Sequence, residues 1–209
     1  HSVNYNLFLN KSQDMQKIPF QSERPLLRIG SITFLTALAI FIISSAFHAG
    51  REDPTNHLHV FAEYANGSPW IAAHIGQFVG DITIFVGGFV ALFRLLVQSE
   101  SMTVSVLAWI GFATAIIAAC TLSILQAVDG IALKRAVESW VIAPAKEKMA
   151  AFRVAEGIRW TEVGTNSIYR ILQGKVAIVF GRALLRTSRL DNSQIGPYVL
   201  LSTTYALLI

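Results

Sequence analysis

The stretch WIAAHIGQFVGDITIFVGGFVALF, residues 70–93, decides the fold of this chain. It is long enough to cross the apolar core of a bilayer as a helix, which takes about 20 residues. Asp81 lies near its middle and carries the one formal charge between Tyr64 and Phe93. A carboxylate at that depth costs roughly 2.5–3.5 kcal/mol on insertion scales. We therefore expect Asp81 to mark a functional site or to have a partner on another helix.

The composition of the whole chain indicates a membrane protein. Of its 209 residues, 53% are hydrophobic and 14% are charged, whereas soluble domains carry about 25% charged residues. The Lys and Arg residues flank apolar runs and do not alternate with aromatic residues. They indicate chain orientation and contacts with lipid head groups, and they disfavour nucleic-acid binding. Cys120 is the single cysteine, which excludes an intramolecular disulfide and CxxC redox chemistry.

The spacing of uncharged runs predicts an all-α polytopic transmembrane bundle with four spans and a fifth in question. Residues 1–28 are predicted to form a polar tail, and residues 29–209 a single transmembrane domain. The first apolar run is long enough to stay in the membrane, so we expect no cleavable signal peptide. The predicted spans are 29–50, 69–93, 102–128 and 165–185, with 195–209 as the fifth, which is short for a complete span.

Two polar connections are predicted to hold short interfacial helices, at 51–69 and 129–164. In the second, Pro144 suits the first turn of a new helix. The Lys and Arg residues are balanced between the two sides of the membrane, so the positive-inside rule does not decide the orientation. The residues before the first span are basic, and Glu52 and Asp53 after it are acidic. This asymmetry favours a cytoplasmic N-terminus. We expect a multi-pass protein of a bacterial inner or plasma membrane.

Polar residues recur at helical spacing within two of the apolar segments. His74, Gln77 and Asp81 project within about 60° of one another on a helix. A second stripe spans about 80° and consists of Arg159, Glu162, Asn166, Arg170 and Gln173. Because lipid cannot satisfy such side chains, we expect both stripes to face inward as one polar network, with Asp81 paired to Arg170. This network is either a structural clamp or a site for a substrate, ion or proton.

The histidines suggest a second candidate site near one membrane face. His48 and His74 are expected at similar depth on neighbouring spans, where two imidazoles could bind haem or a chlorophyll-type pigment. His57, His59 and Glu63 are candidate ligands for Zn²⁺ or another divalent metal. No HExxH motif is present. The alternative is that these residues only form hydrogen bonds with loop backbone and water.

The remaining motifs are structural. Gly76 and Gly80 form one GxxxG step, and Gly87 and Gly88 follow in the same span, which predicts close helix packing. Gln126 and Asp129 lie at the exit of the third span, where we expect Asp129 to contact water. No catalytic residue is predicted, so an enzyme is disfavoured.

Three segments carry a resemblance to a group of small polytopic bacterial membrane proteins with four or five spans and no assigned activity. They are HLHVFAEYANGSPWIAAHIGQFVG, LQAVDGIALKRAVESW and AEGIRWTEVGTNSIYRILQG, and the resemblance covers roughly residues 29–185. It implies a compact helical membrane bundle and no reaction.

Three functional hypotheses follow. The first is a structural or accessory subunit of a larger membrane assembly, with lipids and other membrane subunits as partners. The second is a subunit that binds haem, pigment or metal through His48 and His74. The third is a small-solute or proton pathway through Asp81 and Arg170.

Overall fold

The computed structural model describes residues 24–47, 55–66 and 69–187. Within these ranges all regular structure is helical and there is no strand, which confirms the all-α prediction. Two segments, π1 and π2, are π-helical and interrupt longer α-helices. The elements are α1 Arg24–Ser45, α2 His57–Asn66, α3 Trp70–Ile84, π1 Phe85–Phe89, α4 Val90–Val97, α5 Met102–Ala127, π2 Val128–Leu133, α6 Lys134–Ile142 and α7 Lys148–Arg186.

Three of the described helices are long and apolar enough to cross a membrane. They comprise residues 28–45 of α1, the continuous helix 70–97 formed by α3, π1 and α4, and the continuous helix 102–142 formed by α5, π2 and α6. The predicted span 165–185 lies within α7, and 195–209 lies outside the described residues. The membrane-protein class is therefore supported, while the count of four or five spans stays a prediction.

Two helix starts differ from the predicted ones for local reasons. α1 begins at Arg24 and so takes in the end of the predicted polar tail. Pro25 is compatible with this start because a residue in the first turn needs no acceptor for an N–H group. Pro144 was expected to lie in the first turn of the last helix. Instead it lies in the turn before α7, where its carbonyl oxygen accepts a hydrogen bond from the Glu147 N–H at 2.9 Å.

Helix α7 joins two packing regions because it is far longer than a membrane is thick. Its 39 residues extend about 58 Å at 1.5 Å per residue, against roughly 30 Å of bilayer core. Its C-terminal half packs along α5 around a core that includes Val104, Ala108 and Phe180. Its N-terminal half packs against α2 and α6 around Phe61 and Val137. We call this second region, formed by α2, α6 and residues 148–164, the cap.

Glycines bring α1 and α3 into close contact, as the GxxxG step predicts. A Cβ atom built on Gly80 would lie 3.1 Å from both the Ala37 carbonyl oxygen and the Phe41 Cβ. A Cβ on Gly30 would lie 2.6 Å from the Ala91 Cβ. Such approaches leave no room for larger side chains, so α1 packs on α3 with the two backbones nearly touching.

We predict that Gly80→Val destabilises the packing of α1 on α3 by about 1–3 kcal/mol, the usual cost of overpacking a filled interface. The measurement is reversible unfolding in detergent. Gly164→Val is the matched control, because a Cβ on Gly164 would meet nothing within 4 Å and the change in helix propensity is the same. An equal effect of the two substitutions would contradict the close packing.

Candidate functional site

Asp81 lies at the wall of a cavity inside the helical bundle. Its side chain is on α3 and is only 6% exposed. The cavity has a volume of about 110 Å³ and is lined by residues of α1, of the continuous helix 70–97, of α5 and of α7. Because α1 packs along α3 and α7 packs along α5, the cavity lies between these two helix pairs. The sequence prediction that Asp81 marks the interior agrees with this position.

Two neutral polar residues of α7 line the same cavity. The Gln173 Nε2 donates a hydrogen bond to the Tyr169 hydroxyl oxygen at 2.6 Å. Gln173 belongs to the predicted network, and the structure places it with Asp81 on the cavity wall. Tyr169 was missed by the sequence analysis. Its position four residues before Gln173, on the same helix face, was the signal that could have found it.

Apart from Ser31 of α1, the rest of the cavity wall is apolar and rich in aromatic rings. Phe89 and Phe180 stack across it with ring centroids 5.7 Å apart and planes 8° apart. Phe85 and Phe89 are the first and last residues of π1. A π-helical turn contains an extra residue and often occurs at functional sites. Here it shifts the side-chain register between Asp81 and the following helix α4.

His74 is buried in a different place, at the base of the cap. Its ring is 2% exposed and bonds at both nitrogens. The Nδ1 atom lies 2.9 Å from the Trp70 carbonyl oxygen, and the Nε2 atom lies 3.0 Å from Oδ2 of Asp129. Asp129, which was expected to contact water, is only 13% exposed. His74 thus bonds to Asp129, the residue that follows the third predicted span.

The Trp70 carbonyl oxygen can only accept, so Nδ1 of His74 carries a hydrogen and donates it to that oxygen. The hydrogen bond at Nε2 joins the same ring to Asp129, so both ring nitrogens of His74 have protein partners.

Gly130 and π2 make the contact between His74 and Asp129 sterically possible. A Cβ on Gly130 would lie 2.6 Å from the His74 Cβ, so only glycine allows this approach. The indole Nε1 of Trp70 donates to the Asp129 carbonyl oxygen at 3.2 Å. The start of α3 is therefore bonded to π2 through both a side chain and the backbone. In the sequence, the acidic residue beside a glycine in the LQAVDG segment was the signal that could have indicated this contact.

Further ionisable residues form a second buried cluster in the cap. One guanidinium nitrogen of Arg159 donates to Oε2 of Glu162 and to the Tyr64 hydroxyl, each at 2.8 Å. The Lys134 Nζ donates to the Tyr64 carbonyl oxygen at 2.5 Å. The ring of Tyr64 also packs against that of Trp70, with centroids 3.9 Å apart and planes tilted by 40°. The predicted inward orientation of Arg159 and Glu162 agrees with this burial, but their partners belong to the cap.

The other members of the predicted network separate from Asp81. The Gln77 Nε2 donates to the Ser45 hydroxyl of α1 at 3.2 Å. Arg170 is exposed, and its Nε donates to Oδ1 of Asn166 at 3.2 Å. The expected pairing of Asp81 with Arg170 is thus not the arrangement found, because Arg170 faces outward while Asp81 faces the cavity. The residues that were predicted to form one polar network thus form several separate polar groups in the structure.

The candidate metal and cofactor ligands do not converge. His59 Nδ1 lies 3.7 Å from Oε1 of Glu63, whereas His57 Nε2 lies 3.9 Å from Oε1 of Glu156. Within the described ranges no three His, Cys, Asp or Glu side chains form a group that could hold a metal ion. His48 lies outside the described residues. His74 uses both ring nitrogens in protein contacts, so this conformation leaves it no lone pair for a haem iron or a pigment magnesium.

We predict that Asp129→Ala lowers the stability of the folded protein by about 3 kcal/mol, because it leaves the buried His74 nitrogen without a partner. Asp129→Asn should cost less than about 1 kcal/mol, since an amide N–H can donate to Nε2 of a neutral ring. Unfolding in detergent measures both changes. Equal losses in the two variants would contradict a structural role for this hydrogen bond.

Searches against known protein families, curated proteins and solved structures found no match to this chain. The resemblance to the small bacterial membrane proteins therefore stays a prediction.

Proposed function

We propose that this chain is a multi-pass membrane protein that binds a small solute in the cavity beside Asp81 and gives it a path through the helical bundle. The observation that carries the proposal is a buried carboxyl group facing a cavity inside apolar helices. An ionisable residue at such a position is costly and usually marks a substrate, ion or proton site. The cavity supplies the space that a purely structural clamp would not need.

The lining of the cavity resembles that of small-molecule sites in general. Such sites are mostly apolar, with a few polar groups that orient the ligand. Here Asp81, Tyr169 and Gln173 supply polar groups among a majority of aliphatic and aromatic side chains. Arg170 has no place in this path because it is exposed on the outer face of α7. The proposed path therefore uses Asp81 without Arg170, whereas the sequence predicted a path through both residues.

The packing of the helices offers a way for a solute to enter and leave. The cavity lies between the pair α1 and α3 and the pair α5 and α7, and α4 packs on α5 beside it. In membrane transporters, rigid helix groups rock against each other around a site near the middle of the bilayer. A small movement of α1 and α3 relative to α5 and α7 would open this cavity without breaking the glycine-rich contact between α1 and α3.

A second candidate function is that of an accessory subunit, which is favoured by exposed apolar residues in and beside the cap. Ile142 is 82% exposed, Met149 is 66% exposed and Trp160 is 51% exposed. Apolar surface of this kind commonly marks a protein or membrane contact. Size measurement of the purified protein in detergent tests this candidate. A lone monomer with no copurifying protein would contradict it and leave the solute proposal intact.

We predict that Gly181→Leu abolishes solute binding by filling the cavity. Gly181 lines the cavity, and a Cβ there would meet nothing within 4 Å, so the new side chain has room to enter. Binding of tert-butanol and of tert-butylammonium to the protein in nanodiscs is measured by saturation-transfer NMR. We expect binding of at least one probe to the wild type and binding of neither to Gly181→Leu.

Gly164→Leu is the matched control for this experiment. It lies on the same helix, a Cβ there also meets nothing within 4 Å, and it does not line the cavity. It should leave binding unchanged. If neither probe binds the wild type, or if both variants bind like the wild type, the proposed cavity function is wrong.

A further inference from the structure

We propose that the end of the helical bundle opposite the cap binds the head group of an anionic phospholipid, through the guanidinium groups of Arg182 and Arg186. We call this region the basic end, and it consists of residues 28–32, 91–104 and 178–187. Neither arginine lines the cavity, so the inference does not depend on the proposed solute function. The position of the arginines, the local charge balance and the neighbouring apolar side chains each support it.

Helix packing brings four arginines together at the basic end. The end of α7 packs with the end of α4 and the start of α5 in one hydrophobic core that includes Leu96, Val104 and Leu184. The start of α1 reaches the same level of the bundle, because Gly30 lies against Ala91 of α4. The exposed arginines of these segments are Arg28, Arg94, Arg182 and Arg186.

The charge balance of the basic end differs from that of the cap. Within the described ranges of the basic end, Glu100 is the one acidic residue against four arginines. The flanking sequence, residues 1–27 and 188–209, adds four Lys or Arg against three Asp or Glu. Arginine stays charged at physiological pH, so the basic end carries a net positive charge that attracts an anion.

The exposed arginines of the cap, by contrast, lie beside carboxylates. A guanidinium nitrogen of Arg135 is 3.0 Å from Oε2 of Glu138. A guanidinium nitrogen of Arg153 is 2.6 Å from Oε2 of Glu156. The attraction for an anionic partner is therefore expected at the basic end and not in the cap.

Arg182 and Arg186 are well placed to bind one phosphate group together. They lie four residues apart in the last turns of α7, so their side chains project from the same helix face. Both are exposed. Guanidinium groups donate paired, charge-assisted hydrogen bonds to phosphate oxygens in a fixed planar geometry.

Exposed apolar residues beside this pair favour a phospholipid over a soluble anion. Ile178 lies one turn before Arg182 on the same face of α7 and is 60% exposed, and Leu185 is 72% exposed. Acyl chains can cover these side chains while the arginines contact the head group, and clustered basic residues of this kind are typical of anionic-lipid sites. The exposed Trp109 of α5 adds an aromatic residue of the type that is enriched at membrane interfaces.

The test compares dioleoylphosphatidylglycerol with dioleoylphosphatidylcholine, which has the same acyl chains and a zwitterionic head group. Each lipid is titrated against the purified protein in neutral detergent, and lipid-bound species are quantified by native mass spectrometry. We expect the anionic lipid to bind at least about tenfold more tightly, because each nearby arginine strengthens anionic-lipid binding severalfold. Equal affinities of the two lipids for the wild type would overturn the proposal.

The double variant Arg182→Gln, Arg186→Gln should remove this preference. The matched control is Arg135→Gln, Arg153→Gln, which lowers the net charge by the same amount at two exposed positions of the cap. The control should keep the preference. An equal loss in both double variants would show a general charge effect and contradict the site, while the wild-type comparison decides the proposal even if a variant does not fold.

Inorganic phosphate separates a lipid site from a site for a soluble anion. It is added in excess over bound phosphatidylglycerol, with sodium chloride of the same ionic strength as the control. We expect phosphate to displace no more lipid than sodium chloride does, because it makes no contact with the apolar side chains. Selective displacement by phosphate would overturn the assignment to a lipid.

Discussion

The structure depends on one interaction: a polar side chain buried among apolar helices is stabilised by bonding to another part of the protein. Lipid offers no hydrogen bonds, so an unmatched group would cost several kcal/mol. The bond between His74 and Asp129 is the clearest case, because it ties the start of α3 to π2 through two buried side chains. The same kind of interaction holds Arg159 between Glu162 and Tyr64. These pairs fix how the cap is attached to the membrane-spanning helices.

Backbone features decide where these bonded side chains can meet as much as the side chains themselves do. Gly130 admits His74, and the glycines of α3 admit the backbone of α1. The two π-helical segments lie where α3 passes into α4 and where α5 passes into α6. Each adds a residue to a turn and so rotates everything that follows it. Each predicted polar stripe lies within one uninterrupted α-helix, α3 or α7, so the π segments instead set the rotation of α4 and α6.

The sequence could predict the local properties of the fold and the site, but not the contacts between helices. The all-α class, the helix that carries Asp81 and the close glycine packing follow from hydropathy and spacing, which are local properties. The inward orientation of Arg159 and Glu162 also follows from helical periodicity. The partners of these two residues do not follow from periodicity, because the choice of partner depends on the rotation of one helix against another. Asp129 was expected at the water surface because span length alone cannot reveal that α5 continues through π2 into α6.

His74, Asp129, Arg159 and Glu162 bond to other side chains of the protein, and these bonds attach the cap. Asp81 lies elsewhere, on the wall of a cavity of about 110 Å³. The wall of this cavity combines the costly carboxyl with mostly apolar and aromatic side chains, which is the usual composition of a small-molecule site. That combination is the strongest argument that this part of the bundle is shaped for a ligand.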